Sequence, residues 1–193
     1  MKRAIVALFA VCSVASLALA ETPAAKTPAV ASVAAAPPAP SPELKQFGKW
    51  FVGNYPTCQA NWNASPMGPA HAAKGTAKVE WALDGSWIMS HYTEAKSKDN
   101  PAPWHVVEMF SHDGKQFKRV GFDSFGGLMV GQVASPDTDQ IRFAGQMEMA
   151  GGEKAPAKVT FAKKGEKETT YTFQMQAKDG QWIDLGGGVC KKK

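Results

Sequence analysis

Three Asp-Gly pairs, Asp84-Gly85, Asp113-Gly114 and Asp179-Gly180, each lie between two segments in which apolar and polar residues alternate. Asp tolerates positive φ and Gly adopts it freely, so each pair reads as the centre of a two-residue hairpin turn. The turns set registers. In the first hairpin Leu83 faces Ser86, Trp81 faces Ile88, Val79 faces Ser90 and Ala77 faces Tyr92. In the second, Phe110 faces Phe117 and Glu108 faces Arg119; in the third, Ala177 faces Trp182, Met175 faces Asp184 and Phe173 faces Gly186.

The alternation extends along most of the chain. It predicts strands near 49–53, 73–83, 86–95, 104–112, 115–123, 127–135, 139–149, 157–163, 167–178 and 181–190. Residues 54–72 read as a long connection, with shorter ones at 96–103 and 150–156. Ser41-Pro42-Glu43 carries an N-cap and a proline at the first helical position, which predicts a short helix into Gly48. About ten consecutive antiparallel strands make a meander that removes its exposed edges by closing. The expected fold is therefore all-β, an up-and-down antiparallel barrel with a short N-terminal helix.

Upstream, Lys2-Arg3, the apolar run from Ala4 and the small-residue site Ala18-Leu19-Ala20 read as a signal peptide over 1–20. Residues 21–41 are mainly Ala, Pro, Thr and Ser and read as a disordered linker, which leaves 42–193 as the barrel domain. An exported, periplasmic or secreted protein without stable membrane insertion is expected. Loss of Lys2 and Arg3 takes the formal charge from +5 to +3, too mild to argue for a nucleic-acid partner. Cleavage also leaves only Cys58 and Cys190, and two cysteines in an exported domain are expected to pair. A monomer is favoured.

Phe47-Gly48-Lys49-Trp50 places Gly-x-Trp at the head of the meander. It is followed by Leu83-Asp84-Gly85-Ser86-Trp87, by Phe110-Ser111-His112-Asp113-Gly114-Lys115-Gln116-Phe117 and by Gly121-Phe122-Asp123-Ser124-Phe125-Gly126. This order resembles a bacterial lipocalin-like, calycin-type barrel family of unknown function, over roughly residues 43–191. The resemblance implies a barrel with an internal cavity, and a Trp closing one of its ends. It implies no reaction. Gly48-Lys49-Trp50 with Gly53-Asn54-Tyr55-Pro56-Thr57 is also similar to the opening of small haem-binding barrels. Those ligate iron through a late His, whereas the last His here is His112, so no cofactor is expected.

Ten residues form the candidate ligand site: Trp81, Tyr92, Trp104, Glu108, Phe110, Phe117, Arg119, Asp123, Met147 and Phe173. Most are large apolar or aromatic side chains on faces read as inward. They would either line a cavity or simply fill the barrel as core. Glu108 and Arg119 inside the wall would hold a polar head group; outside, they would be an ordinary surface ion pair. Both faces of their hairpin carry apolar residues, and the face of Phe110 and Phe117 is read as inward. His71, His91, His105 and His112 have no metal-ligand spacing, and His71 and His112 read as surface residues. No catalytic motif is present. The reading is a binding module for a small apolar or amphipathic molecule. The alternatives are an isomerase- or hydrolase-type enzyme using an internal acid such as Glu108 or Asp123, or an envelope interaction module.

Overall fold

A computed structural model describes residues 39–133 and 137–193. The signal peptide, and all but the last three residues of the linker, lie outside the described residues.

Ten antiparallel strands form one closed barrel in the order β1-β10-β9-β8-β7-β6-β5-β4-β3-β2. They are β1 (Gly53–Trp62), β2 (His71–Ala82), β3 (Trp87–Glu94), β4 (His105–His112) and β5 (Phe117–Asp123), then β6 (Leu128–Val133), β7 (Gln140–Glu148), β8 (Lys154–Lys163), β9 (Glu168–Gln176) and β10 (Trp182–Lys191). Each strand pairs with its neighbours in sequence, and β1 closes on β10. The seam carries Cys58 opposite Cys190, joined by a disulfide with Cα atoms 4.0 Å apart.

The helix α1 (Pro42–Phe51) comes first in the described chain. Ser41 caps it, its hydroxyl accepting from the Leu44 amide at 3.1 Å, and Pro42 opens it. The helix runs past Gly48, so residues 49–51 are its last turn and not the predicted strand. Its carbonyls are then taken by distant donors. Lys192 Nζ donates to Trp50 O at 2.6 Å and Val52 O at 2.9 Å, and the Tyr55 hydroxyl donates to Phe51 O at 2.6 Å.

This helix closes one end of the barrel. Phe47 stacks on Phe51 (centroids 4.6 Å apart) and meets Phe110 and Phe117 edge-on at 5.5 and 5.8 Å. Phe51 in turn contacts Phe161 at 5.2 Å. Trp50 is buried, so the expected tryptophan does sit at a closed end, but on a helix. The indole of Trp81 occupies the space beside Gly48, where any Cβ would overlap it. Trp81 remains 39% exposed at the barrel's edge.

The three Asp-Gly turns behave differently. The first keeps its expected register: Leu83 (φ 48°), Asp84 (φ 56°, ψ 30°) and Gly85 (φ 82°) are all left-handed, Ser86 N donates to Leu83 O, and Trp81 pairs with Ile88. In the second, Asp113 turns its side chain inward on the loop, and Oδ1 accepts from the Lys115 and Gln116 amides at 3.0 Å each. The register therefore moves by two residues. Phe110 pairs with Arg119 and Glu108 with Gly121, in place of the predicted Phe110–Phe117 and Glu108–Arg119. An even shift keeps every side chain on its face, and the inward reading holds: Phe110 and Phe117 are fully buried.

The third turn is one residue longer than expected, with Gly180 at φ 84° and Ala177 N donating to Gln181 O. Trp182 pairs with Gln176 and Ile183 with Met175, so Trp182 points outward, where Lys158 Nζ lies 3.5 Å from its ring centre. An irregularity between Asp184 and Gly186 then restores the predicted Phe173–Gly186 pair and turns Leu185 inward. The predicted long connection 54–72 is in error. Most of it is β1 and the start of β2.

Candidate functional site

Against the helical plug, whose Phe51 forms part of the wall, the interior holds a cavity of about 80 Å³. Its walls are mainly apolar, with Val79, Val106, Met129, Met147, Phe161 and Phe173 among them. A second, wider space of about 320 Å³ shares Trp62, Trp104 and Phe173 with it and reaches the loops at 63–71 and 99–102.

Seven of the ten sequence-predicted residues line the inner cavity: Tyr92, Trp104, Glu108, Arg119, Asp123, Met147 and Phe173. Phe110 and Phe117 do not; they are packed beneath the helix as core. Nor does Trp81, which lies at the same end beside Gly48. His112 is corrected as well. Its side chain is only 4% exposed, with the ring against Phe117 at 4.7 Å and Nδ1 facing Glu43 at 3.6 Å.

The charged pair is inside. Arg119 Nε donates to Glu108 Oε1 at 2.8 Å, and Nη2 donates to the same oxygen. The Arg119 and Glu108 side chains are 5% and 9% exposed. Arg119 lies diagonal to Glu108 on the ladder, and its guanidinium folds back over Gly121, where a Cβ would approach Nη2 to 2.8 Å. Asp123 has a different role. Its Oδ1 accepts from the Phe125 and Gly127 amides at 2.9 and 3.0 Å and so shapes the β5–β6 turn.

At the junction of the two spaces sits Glu94, only 2% exposed. It takes four donors: Trp62 Nε1 at 2.7 Å, Asn100 Nδ2 at 2.8 Å, Trp104 N at 3.0 Å and the Tyr92 hydroxyl at 3.2 Å. Charge-assisted bonds of this kind replace the water that burial removes. Around it the rings of Trp62, Tyr92, Trp104 and Tyr171 pack mostly edge-on, with centroids 4.9–6.2 Å apart. Burial first, and then the neighbouring Tyr171, push the Tyr92 phenol well above its usual range. Burial also raises Tyr171, with the Glu94 and Glu108 carboxylates adding to the effect. Sequence reasoning missed Glu94 and Trp62. Trp62 fell in the supposed loop, and Glu94 ends a strand like any solvent-facing acid.

Among the described residues, three buried side-chain polar atoms have no hydrogen-bond partner: Trp104 Nε1, Arg119 Nη1 and Tyr171 Oη. All three residues line the inner cavity. An unpaired buried polar group costs roughly 1–3 kcal/mol, so three around one space are a property of that space. Among the described residues no group of three His, Cys, Asp or Glu side chains could hold a metal ion, and no helix is long and apolar enough to cross a membrane. The disulfide is compatible with export.

No curated protein matches the chain. Among solved structures it is similar to the crystal structure of Rv2717c from M. tuberculosis, at 12% identity and a TM-score of 0.59. That match covers 80% of this chain and 99% of the other, and it speaks to the fold alone. A family model, DUF1579, described as a protein of unknown function, matches residues 44–191. That span covers all but the first two residues of the plug helix, every strand and all the residues that line the two cavities, and the chain belongs to this family.

Proposed function

We propose that the barrel is an exported binding module that holds a small, largely apolar ligand in its interior, in the manner of a lipocalin-like carrier. One observation carries the reading. The unpartnered atoms belong to Trp104, Arg119 and Tyr171, three residues that line one cavity whose remaining wall is mostly apolar. Most polar groups in a settled interior find partners, so three unpartnered atoms on residues around one space favour a site over plain core packing. The plug helix shuts one end, so a ligand enters past Trp62, Trp104 and Phe173 at the other.

The test is titration with N-phenyl-1-naphthylamine, a neutral probe whose fluorescence rises in apolar surroundings. Saturable one-to-one binding is expected, and Ala77→Phe, which fills the wall of the inner cavity, should abolish it. No saturable binding, or equal binding by folded Ala77→Phe, would overturn the proposal.

A further inference from the structure

An arginine in an apolar barrel invites the reading of a carboxylate receptor. The charges around this one argue otherwise. Arg119 is already paired with Glu108. Among the described residues it is the only Lys or Arg lining either cavity, against the carboxylates of Glu108 and Asp123 in the inner space and Glu94 and Asp99 in the outer one. Glu94 is held by neutral donors alone, and among the described residues no cation lies within salt-bridge distance of it. Both Glu94 and Glu108 raise the Tyr171 phenol, so their negative potential is felt at that hydroxyl. An anion brought there would meet an excess of like charge in a medium that screens poorly.

The unpartnered atoms exclude the opposite charge. Trp104 Nε1 and Arg119 Nη1 can only donate, and Tyr171 Oη can donate as well. A ligand ammonium carries only donors, so it could satisfy neither Trp104 Nε1 nor Arg119 Nη1, and it would meet the guanidinium's own positive charge. What remains is an uncharged group rich in lone pairs. The wall is cut back to admit two of the donors. Gly121 leaves room for the guanidinium, and Gly188, opposite Tyr171, would bring a Cβ within 2.8 Å of the phenol oxygen.

We propose that the ligand's head group is a neutral hydrogen-bond acceptor, a ketone, ester or amide carbonyl, held by Arg119, Trp104 and Tyr171, with its apolar tail along the barrel wall. This rests on the reading of the barrel as a binding module. It differs from it in naming the chemistry of the head.

The experiment displaces N-phenyl-1-naphthylamine from the full-length protein with three nine-carbon competitors, nonan-2-one, nonanoate and nonylamine, at neutral pH. The ketone should bind at least about tenfold more tightly than either ion. Tyr171→Phe and Trp104→Phe each remove one donor and keep an aromatic ring. Each should weaken the ketone about 3- to 10-fold more than it changes binding of the probe to the same variant. Asp123→Asn keeps the amide oxygen that shapes its turn. It should strengthen nonanoate about threefold relative to the ketone measured on the same variant. Nonanoate or nonylamine binding as tightly as the ketone would overturn the inference, as would a ketone affinity indifferent to both aromatic substitutions. Failure of the probe itself to bind would instead remove the binding-module reading beneath it.

Discussion

Arg119 reaches Glu108 across a diagonal of the β4–β5 ladder, and the residue directly opposite Glu108 is Gly121. The missing Cβ of Gly121 is the space in which the guanidinium lies. The contact thus depends on three residues: an acid, a base with enough reach, and a glycine between them in the wall. Both charges are nearly sealed from water, so neither can be removed alone without leaving the other unpaired.

Arg119→Met should cost on the order of 3–5 kcal/mol, the usual penalty for breaking a buried pair. Glu108→Leu combined with Arg119→Met should recover most of it, because no charge is then stranded. Urea unfolding of both variants checks this. A loss below about 1 kcal/mol for Arg119→Met would mean that the pair behaves as an exposed one.

The Cys58–Cys190 bridge closes a loop with a sequence separation of 132 residues. Chain-entropy reasoning gives it roughly 5 kcal/mol. Replacing both cysteines by Ala should lower the urea midpoint by a corresponding amount, and reductant should then have no further effect on the variant. Equal midpoints for the two proteins would show that the bridge constrains nothing the ladder does not already hold.

Gly48→Ala places a methyl group where the Trp81 ring now lies. The indole must swing away from the helix, at a cost of about 1–3 kcal/mol. Tryptophan emission should shift to longer wavelength as Trp81 gains exposure. An unchanged spectrum and midpoint would mean that the ring does not press on the helix.

All three tyrosines of the chain, Tyr55, Tyr92 and Tyr171, are held above the ordinary phenol range, chiefly by burial, with Tyr55 pushed up to about 12. Folded-state values above the unfolded value of about 10 mean that the folded protein keeps its phenol protons longer than the unfolded chain does. Their contribution is fully present below pH 10 and is lost as pH rises through the folded values. Stability should therefore fall steeply from about pH 10 toward 12. Phenolate absorbance should rise together with loss of the β signal in circular dichroism. Ionisation of even one tyrosine near pH 10 in the folded protein would contradict its burial.

How much of this was legible in the sequence depended on what each turn did with its aspartate. Asp84-Gly85 uses only its backbone, and the register drawn from it, with Trp81 opposite Ile88, is present, although Trp81 lies at the rim and not in the cavity wall. Asp113 uses its side chain, which lengthens the loop and moves the register by an even number, so faces survived while pairs did not. Near Asp179 the shift is odd, and Trp182 went to the solvent side until the irregularity at Leu185 corrected the strand. Alternation marked Met147 and Phe173 of the cavity's apolar wall, but it also marked Phe110 and Phe117, which pack under the helix, and it missed Tyr55 and Trp62. It left the polar junction unmarked, because Glu94 becomes an interior residue only when Trp62, Asn100 and Trp104 arrive from separate parts of the chain. Pairing of that kind has no local signature.

The ladder between β1 and β10 has a temporal consequence. Cys190, which bolts the seam, and Lys192, which holds the last carbonyls of the plug helix, are separated by a single residue. A nascent chain can zip its hairpins one after another, yet it can neither shut the wall nor seat the plug until those residues arrive. A molecule truncated before them loses bolt and plug together, and it presents an open sheet edge and an aromatic interior at the same moment. Completeness of the chain is thereby made a condition of closure.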